Sequence, residues 1–273
     1  MAFSFADING TRMRYEVRGD GDPLVLIHSG IADLRLWDDQ MDVFASHHRV
    51  IRYDVRGYGQ TPHPPGIYSD YEDLKGLLDH LSIDQTVVLG CSMGGAIAID
   101  FALAYPGRVT ALIPVASALN GYEPEETDVA AKEERERLFT ESNAAYEAGD
   151  FQTAAHLYAR VWADGPKRSS DQVDPEVRAQ AIAMMLDMFE LPEDEGSEQP
   201  LKPPAAERLS EIKVPTLVMV GDYDVETILL TADYLAENIS GASKEVMAEV
   251  AHYPNMEKPA EFNQIVLDFL KAV

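Results

Sequence analysis

Val87-Val88-Leu89-Gly90-Cys91-Ser92-Met93-Gly94-Gly95-Ala96 decides how the chain is read. Thr86 to Leu89 is a short apolar and β-branched run, as a buried strand requires. Ala96 to Ala104 is almost wholly apolar and reads as a buried helix. Between them lies Gly90-x-Ser92-x-Gly94. A serine on so tight a strand-to-helix turn has strained φ/ψ, and the chain passes close to itself two residues on either side. Glycine has no Cβ to clash at those points. The turn lifts the Ser92 hydroxyl clear of the sheet and sets it at a helix N-terminus, where unpaired N–H groups favour negative charge. The bare pattern is common by chance. With a buried strand before it and a buried helix after it, it reads as a nucleophile elbow rather than a glycine-rich turn carrying a solvated serine.

Composition bounds the rest. A length of 273 residues holds one sizeable core plus an insertion, and 46% hydrophobic content is globular. No apolar run approaches a membrane span. Met1 to Asp7 has no basic region followed by an apolar one, so no signal peptide is read. Cys91 is the single cysteine, which excludes an intramolecular disulfide. A cytoplasmic location is the expectation. The net charge of −25 repels nucleic acid and anionic membranes, so neither is an expected partner.

Working outward from the elbow, strands alternate with helices. Strands are expected at 3–7 and 11–18, joined by the hairpin signal Asn9-Gly10, then at 24–27, 49–53, 109–115, 214–220 and 244–250. Helices are expected at 37–45, 68–81, 226–239 and 259–271. Residues 120–206 differ. They carry charge runs, amphipathic helices at 126–147, 151–162 and 175–189, an acidic proline-rich linker over 191–204, and no clear strand. This divides the chain into an α/β core (1–119 and 207–273) and a helical cap (120–206). The fold class is α/β, a mostly parallel sheet flanked by helices.

In such sheets ligands bind beyond the carboxyl ends of the strands. Ser92, Asp224 and His252 each follow an expected strand, so all three should share one rim. Asp222 is the rival acid. The loop His28-Ser29-Gly30-Ile31 leaves a buried strand on the same rim, where a backbone N–H could face the nucleophile. Asp54 and Arg56 read as a loop held by a local ion pair. The cap should cover the rim and wall a pocket with Trp162, Met184 and Met188, beside Ile31 and Met93 from the core. His47, His48, His63, His80 and His156 read as bystanders.

The order Ser, Asp, His is that of the α/β-hydrolase superfamily, which the chain resembles over essentially its whole length. The resemblance is carried by His28-Ser29-Gly30, Asp54-x-Arg56-Gly57-x-Gly59, Gly90-x-Ser92-x-Gly94, Gly221-x-x-Asp224 and His252-x-Pro254-x-x-Glu257-x-Pro259. It implies Ser92 as nucleophile, His252 as general base and Asp224 as its orienting acid. It also implies the Gly30 and Met93 N–H groups as oxyanion donors, though Ser29 stands where the family more often has glycine. A serine nucleophile argues against the dehalogenase and epoxide-hydrolase branches, which use aspartate, and the lipase His-Gly-Gly-Gly loop is missing. The short loop and helical cap are similar to enol-lactonase-like members. The expected activity is hydrolysis of small esters or lactones, with no cofactor or metal. The alternatives are a carbon–carbon hydrolase or perhydrolase on the same triad, or a small-molecule receptor on this fold. Oligomeric state is left open between monomer and dimer.

Overall fold

The computed structural model describes residues 3–191 and 196–273. Ten strands are found among them: β1 (Ser4–Ile8), β2 (Thr11–Arg18), β3 (Pro23–Ile27), β4 (Arg49–Tyr53), β5 (Gly66–Tyr68), β6 (Thr86–Cys91), β7 (Val109–Val115), β8 (Gly196–Glu198), β9 (Leu217–Gly221) and β10 (Ser243–Met247). The helices are α1 (Asp38–Ala45), α2 (Asp70–His80), α3 (Met93–Ala104), α4 (Val129–Glu147), α5 (Phe151–Ala159), α6 (Pro175–Phe189), α7 (Glu226–Asn238), α8 (Pro254–Glu257) and α9 (Pro259–Ala272).

Eight strands form one sheet in the order β1-β2-β4-β3-β6-β7-β9-β10. The β1–β2 and β2–β4 pairs are antiparallel; from β4 to β10 every pair is parallel. The β1–β2 turn is Asn9-Gly10, both at positive φ (47° and 83°), as the dipeptide predicts. Leu24 to Ile27 on β3 and Val88 and Leu89 on β6 are fully buried. Helices on both faces make that possible, so these strands read as continuous apolar runs rather than alternating ones. Because β3, β6, β9 and β10 run the same way, the loops that follow them meet along one edge.

The segment between β7 and β9 holds α4, α5 and α6, close to the expected spans. It also holds what the sequence reading missed. β8 pairs in parallel with β5, Tyr68 opposite Glu198, in a separate two-stranded sheet. The inserted segment therefore contains a strand, and 196–198 of the expected linker is ordered against the core; residues 192–195 of that linker lie outside the described residues. The strand expected at 214–220 runs over 217–221, and that at 244–250 over 243–247.

Candidate active site

β6 ends at Cys91 and α3 begins at Met93, leaving Ser92 alone at the turn with φ 55° and ψ −114°. A non-glycine residue there costs roughly 1–3 kcal/mol and persists only where its surroundings fix it. They do. The Ser92 N–H donates to the Val115 carbonyl (2.9 Å), and its own carbonyl accepts from the N–H groups of Gly95 (2.9 Å), Ala96 (3.1 Å) and Ala118 (3.1 Å). The two motif glycines are steric necessities. A Cβ on Gly90 would lie 2.0 Å from the Gly94 carbonyl oxygen, and one on Gly94 would lie 2.4 Å and 2.5 Å from the oxygens of Ile27 and His28. The obstacles to a Cβ on Gly94 are backbone at the end of the buried strand β3. Gly94→Ala should therefore cost about 3 kcal/mol, a fall of roughly 6–10 °C in Tm. Calorimetry showing an unchanged Tm would contradict the close approach.

The second part of the site follows β9 and β10. Three residues after Gly221, Asp224 Oδ2 lies 2.8 Å from His252 Nδ1, and both side chains are 1% exposed. Asp224 Oδ1 accepts the Val225 N–H at 2.8 Å. An ionised carboxylate only accepts, so the proton of this contact sits on His252 Nδ1; in the neutral imidazole that tautomer leaves the lone pair on Nε2. Asp222 turns elsewhere: its Oδ1 accepts the Glu249 N–H at 2.6 Å. Cys91, next to Ser92, contacts this loop through Sγ, 3.8 Å from the His252 carbonyl oxygen. The thiol is fully buried and burial pushes its pKa up, so Cys91 is no rival nucleophile near neutral pH.

The third part is the loop after β3. His28 is fully buried; its Nε2 accepts the Val55 N–H (2.9 Å), so Nδ1 donates to the Ser29 carbonyl (2.8 Å). Burial lowers its pKa and keeps it neutral, which suits this pairing. The imidazole ties the loop to the exit of β4. Gly30 abuts the elbow: a Cβ there would lie 3.4 Å from Met93 Sδ and 3.6 Å from the Tyr58 hydroxyl. Neither the Gly30 nor the Met93 N–H donates to another described residue. The expected Asp54–Arg56 pair is not formed. Asp54 accepts the N–H groups of Leu34 (3.0 Å) and Gln60 (2.8 Å) and faces Arg14 at 3.4 Å, while Arg56 forms a buried bidentate pair with Asp73. The loop is held by partners from elsewhere in the fold, not by the local pair expected.

The inserted segment reaches this rim from two sides. Trp162 packs on the His252 imidazole with ring centroids 4.4 Å apart. α6 is tied to the loop after β3 by the Arg35–Asp187 ion pair (2.5 Å) and by Gln180 donating to the Arg35 carbonyl (3.2 Å). Of the other expected pocket residues, Met184 is interior packing on α6, while Met188 and Ile31 are half-buried against the core. Sequence reasoning missed Arg168, whose guanidinium sits against the His252 loop, 2.5 Å from Glu257. No short-range signal marks a contact 89 residues away. Among the described residues no cluster of His, Cys, Asp or Glu has metal-binding geometry, and no helix is long and apolar enough to cross a membrane.

Residues 22–259 match a family model described as the alpha/beta hydrolase fold. The chain is 28% identical over 264 residues to 3-oxoadipate enol-lactonase 2 of Acinetobacter baylyi, covering 95% of this chain and 93% of that one. It is 29% identical over 275 residues to a 2-hydroxy-6-oxononadienedioate/2-hydroxy-6-oxononatrienedioate hydrolase of Burkholderia vietnamiensis, covering 96% and 93%. Among solved structures, the enol-lactonase from Burkholderia xenovorans LB400 superposes with a TM-score of 0.77 at 24% identity, covering 98% of this chain and 100% of that one.

Proposed function

This chain belongs to the α/β-hydrolase fold family, and from that premise we propose that it is a serine hydrolase of small, uncharged esters or lactones, working through an acyl-enzyme. The observation that carries the reading is the Ser92 turn at φ 55° on the same rim as the buried Asp224–His252 pair. His252 Nε2 takes the Ser92 proton as the hydroxyl attacks the acyl carbon. Asp224 stabilises the imidazolium so formed. The Gly30 and Met93 N–H groups receive the oxyanion, with the α3 N-terminus adding its dipole. The imidazolium returns its proton to the leaving alcohol. Water then repeats the sequence and frees the acid, or the ring-opened hydroxy acid from a lactone.

In this reading residues 120–206 form a cap over the rim, with Trp162 beside His252 and α6 beside the Gly30 loop. An uncharged substrate fits the pairing of arginines around these loops: Arg35 with Asp33 and Asp187, Arg168 with Glu257, Arg178 with Asp164. The net charge of −25 further opposes an anion. The test is a p-nitrophenyl ester series. Each added methylene should contribute roughly 0.8 kcal/mol, about fourfold in kcat/KM, until the pocket is full and the trend reverses. An acyl chain ending in a carboxylate should be slower than its neutral counterpart by at least about tenfold. A rate that climbs through the long chains, or jumps past the solubility limit, would make the cap a lipase-type lid. A carbon–carbon hydrolase is the second reading, favoured by the Burkholderia vietnamiensis relative. Turnover of a vinylogous 1,5-diketone in preference to every ester would select it.

A further inference from the structure

We propose that Arg168 is a positioning residue for His252, so that the inserted segment, and not the core alone, holds the imidazole at its working angle. The proposal rests on the reading of His252 as general base. α5 does not simply stop. It runs into a π-turn over Arg160–Asp164, a wider coil often found at functional sites. The turn lays the Trp162 ring on the imidazole and presents the Trp162 carbonyl to the His252 N–H at 3.3 Å. Gly165 then crosses so close to the acid loop that a Cβ would lie 2.3 Å from the Tyr223 carbonyl oxygen.

Arg168 closes the run. Its guanidinium bonds on both sides of the junction. Toward the inserted segment, Nε donates to the Asp164 carbonyl (2.9 Å) and Nη2 to the Ala163 carbonyl (2.9 Å). Toward the core, Nη1 donates to Glu257 Oε2 (2.5 Å) and, at 3.3 Å, to the Glu249 carbonyl. The other Glu257 oxygen accepts the N–H of Ala251, the residue before His252, at 2.7 Å. The Arg168 and Glu257 side chains are 8% and 7% exposed. Removing one partner of such a pair leaves an uncompensated buried charge. Glu257 would turn toward water, and its hold on the Ala251 N–H would loosen. Residues 248–253 carry no helix or strand of their own, so their path depends on side-chain and loop bonds: these, together with those of Asp222 to Glu249, Tyr223 to Val250 and Asp224 to His252.

The test compares Arg168→Met with Arg135→Met. The control breaks another ion pair of the same segment, Arg135–Glu126 at 2.5 Å, which does not touch the His252 loop. Arg168→Met should lower kcat on a neutral ester by about 10²-fold, the scale of a 1 Å misplacement, and leave KM unchanged. Arg168→Lys should restore part of the loss. Arg135→Met should keep its kcat. In proton NMR, the low-field resonance of the His252 Nδ1–H bonded to Asp224 should shift or vanish in Arg168→Met and persist in Arg135→Met. Wild-type kcat with an unmoved resonance in Arg168→Met would overturn the proposal, as would equal losses in both variants that follow Tm. If Arg168→Met does not fold, Arg168→Lys decides on the same kcat and resonance. Should the wild type turn over no ester, the functional reading fails by itself, and the response of the imidazole resonance still decides whether Arg168 holds His252.

Discussion

Ser92→Ala should yield a folded protein whose kcat on esters is lower by about 10⁴–10⁶. The size of the loss follows from what would remain. The Gly30 and Met93 amides are backbone and stay in place, so some stabilisation of an oxyanion by attacking water survives. No other group can take over the attack: Cys91 is sealed beneath the sheet edge with its pKa raised, and Asp224 is committed to His252 and the Val225 N–H. The fold should tolerate the change. Alanine meets the same strain at φ 55° as serine, and the bonds that hold the turn are all made by backbone atoms. Steady-state kinetics, Tm and fluorophosphonate labelling of the two proteins decide the matter. More than about 1% of wild-type activity in a contaminant-free sample would remove Ser92 from the mechanism.

Much of the fold was legible because its signals are local. The hairpin at Asn9-Gly10 and β7 at Val109–Val115 depend on a few adjacent residues, and α6 at Pro175–Phe189 follows its amphipathic run; in the structure Asp174 caps it ahead of Pro175. The Gly90-x-Ser92-x-Gly94 turn was legible for the same reason: its glycines answer to clashes within the turn and with the neighbouring strand end. What failed was set at long range. β5 reads Gly-Ile-Tyr and β8 reads Gly-Ser-Glu; neither has a strand pattern, and each exists because the other supplies its backbone partners 130 residues away. Asp54 and Arg56, two residues apart, invited a local pair, yet each found a better partner across the fold. Trp162 could be placed on a helix but not on His252, because a π-turn changes which way its ring faces. Binary patterning carries no information of that kind.

Asp224→Asn should lose roughly 10⁴ in kcat, whereas Asp222→Asn should stay within about tenfold of wild type. The two carboxylates are two residues apart and follow the same strand, so sequence position alone separates them poorly. Their hydrogen bonds separate them well. Asp222 Oδ1 accepts one backbone N–H, from Glu249 at 2.6 Å. An asparagine carbonyl oxygen can accept the same bond, so that change mainly removes a charge from a turn. Asp224 has a harder task. Its Oδ2 must accept from His252 Nδ1 while Oδ1 accepts from Val225. An asparagine that keeps its oxygen on the Val225 N–H turns its NH₂ toward Nδ1. The imidazole must then carry its proton on Nε2, and no lone pair is left to take the Ser92 proton. If the amide flips instead, the Val225 N–H loses its acceptor, and the imidazolium formed during attack has no negative charge beside it. Both outcomes act on kcat, because the pair is used only as the proton moves; KM should change little. Measuring kcat, KM and Tm of the two variants side by side tests this directly. If Asp222→Asn suffers the larger loss while both proteins stay folded, the acid that works with His252 is Asp222, and the 2.8 Å contact with Asp224 is structural.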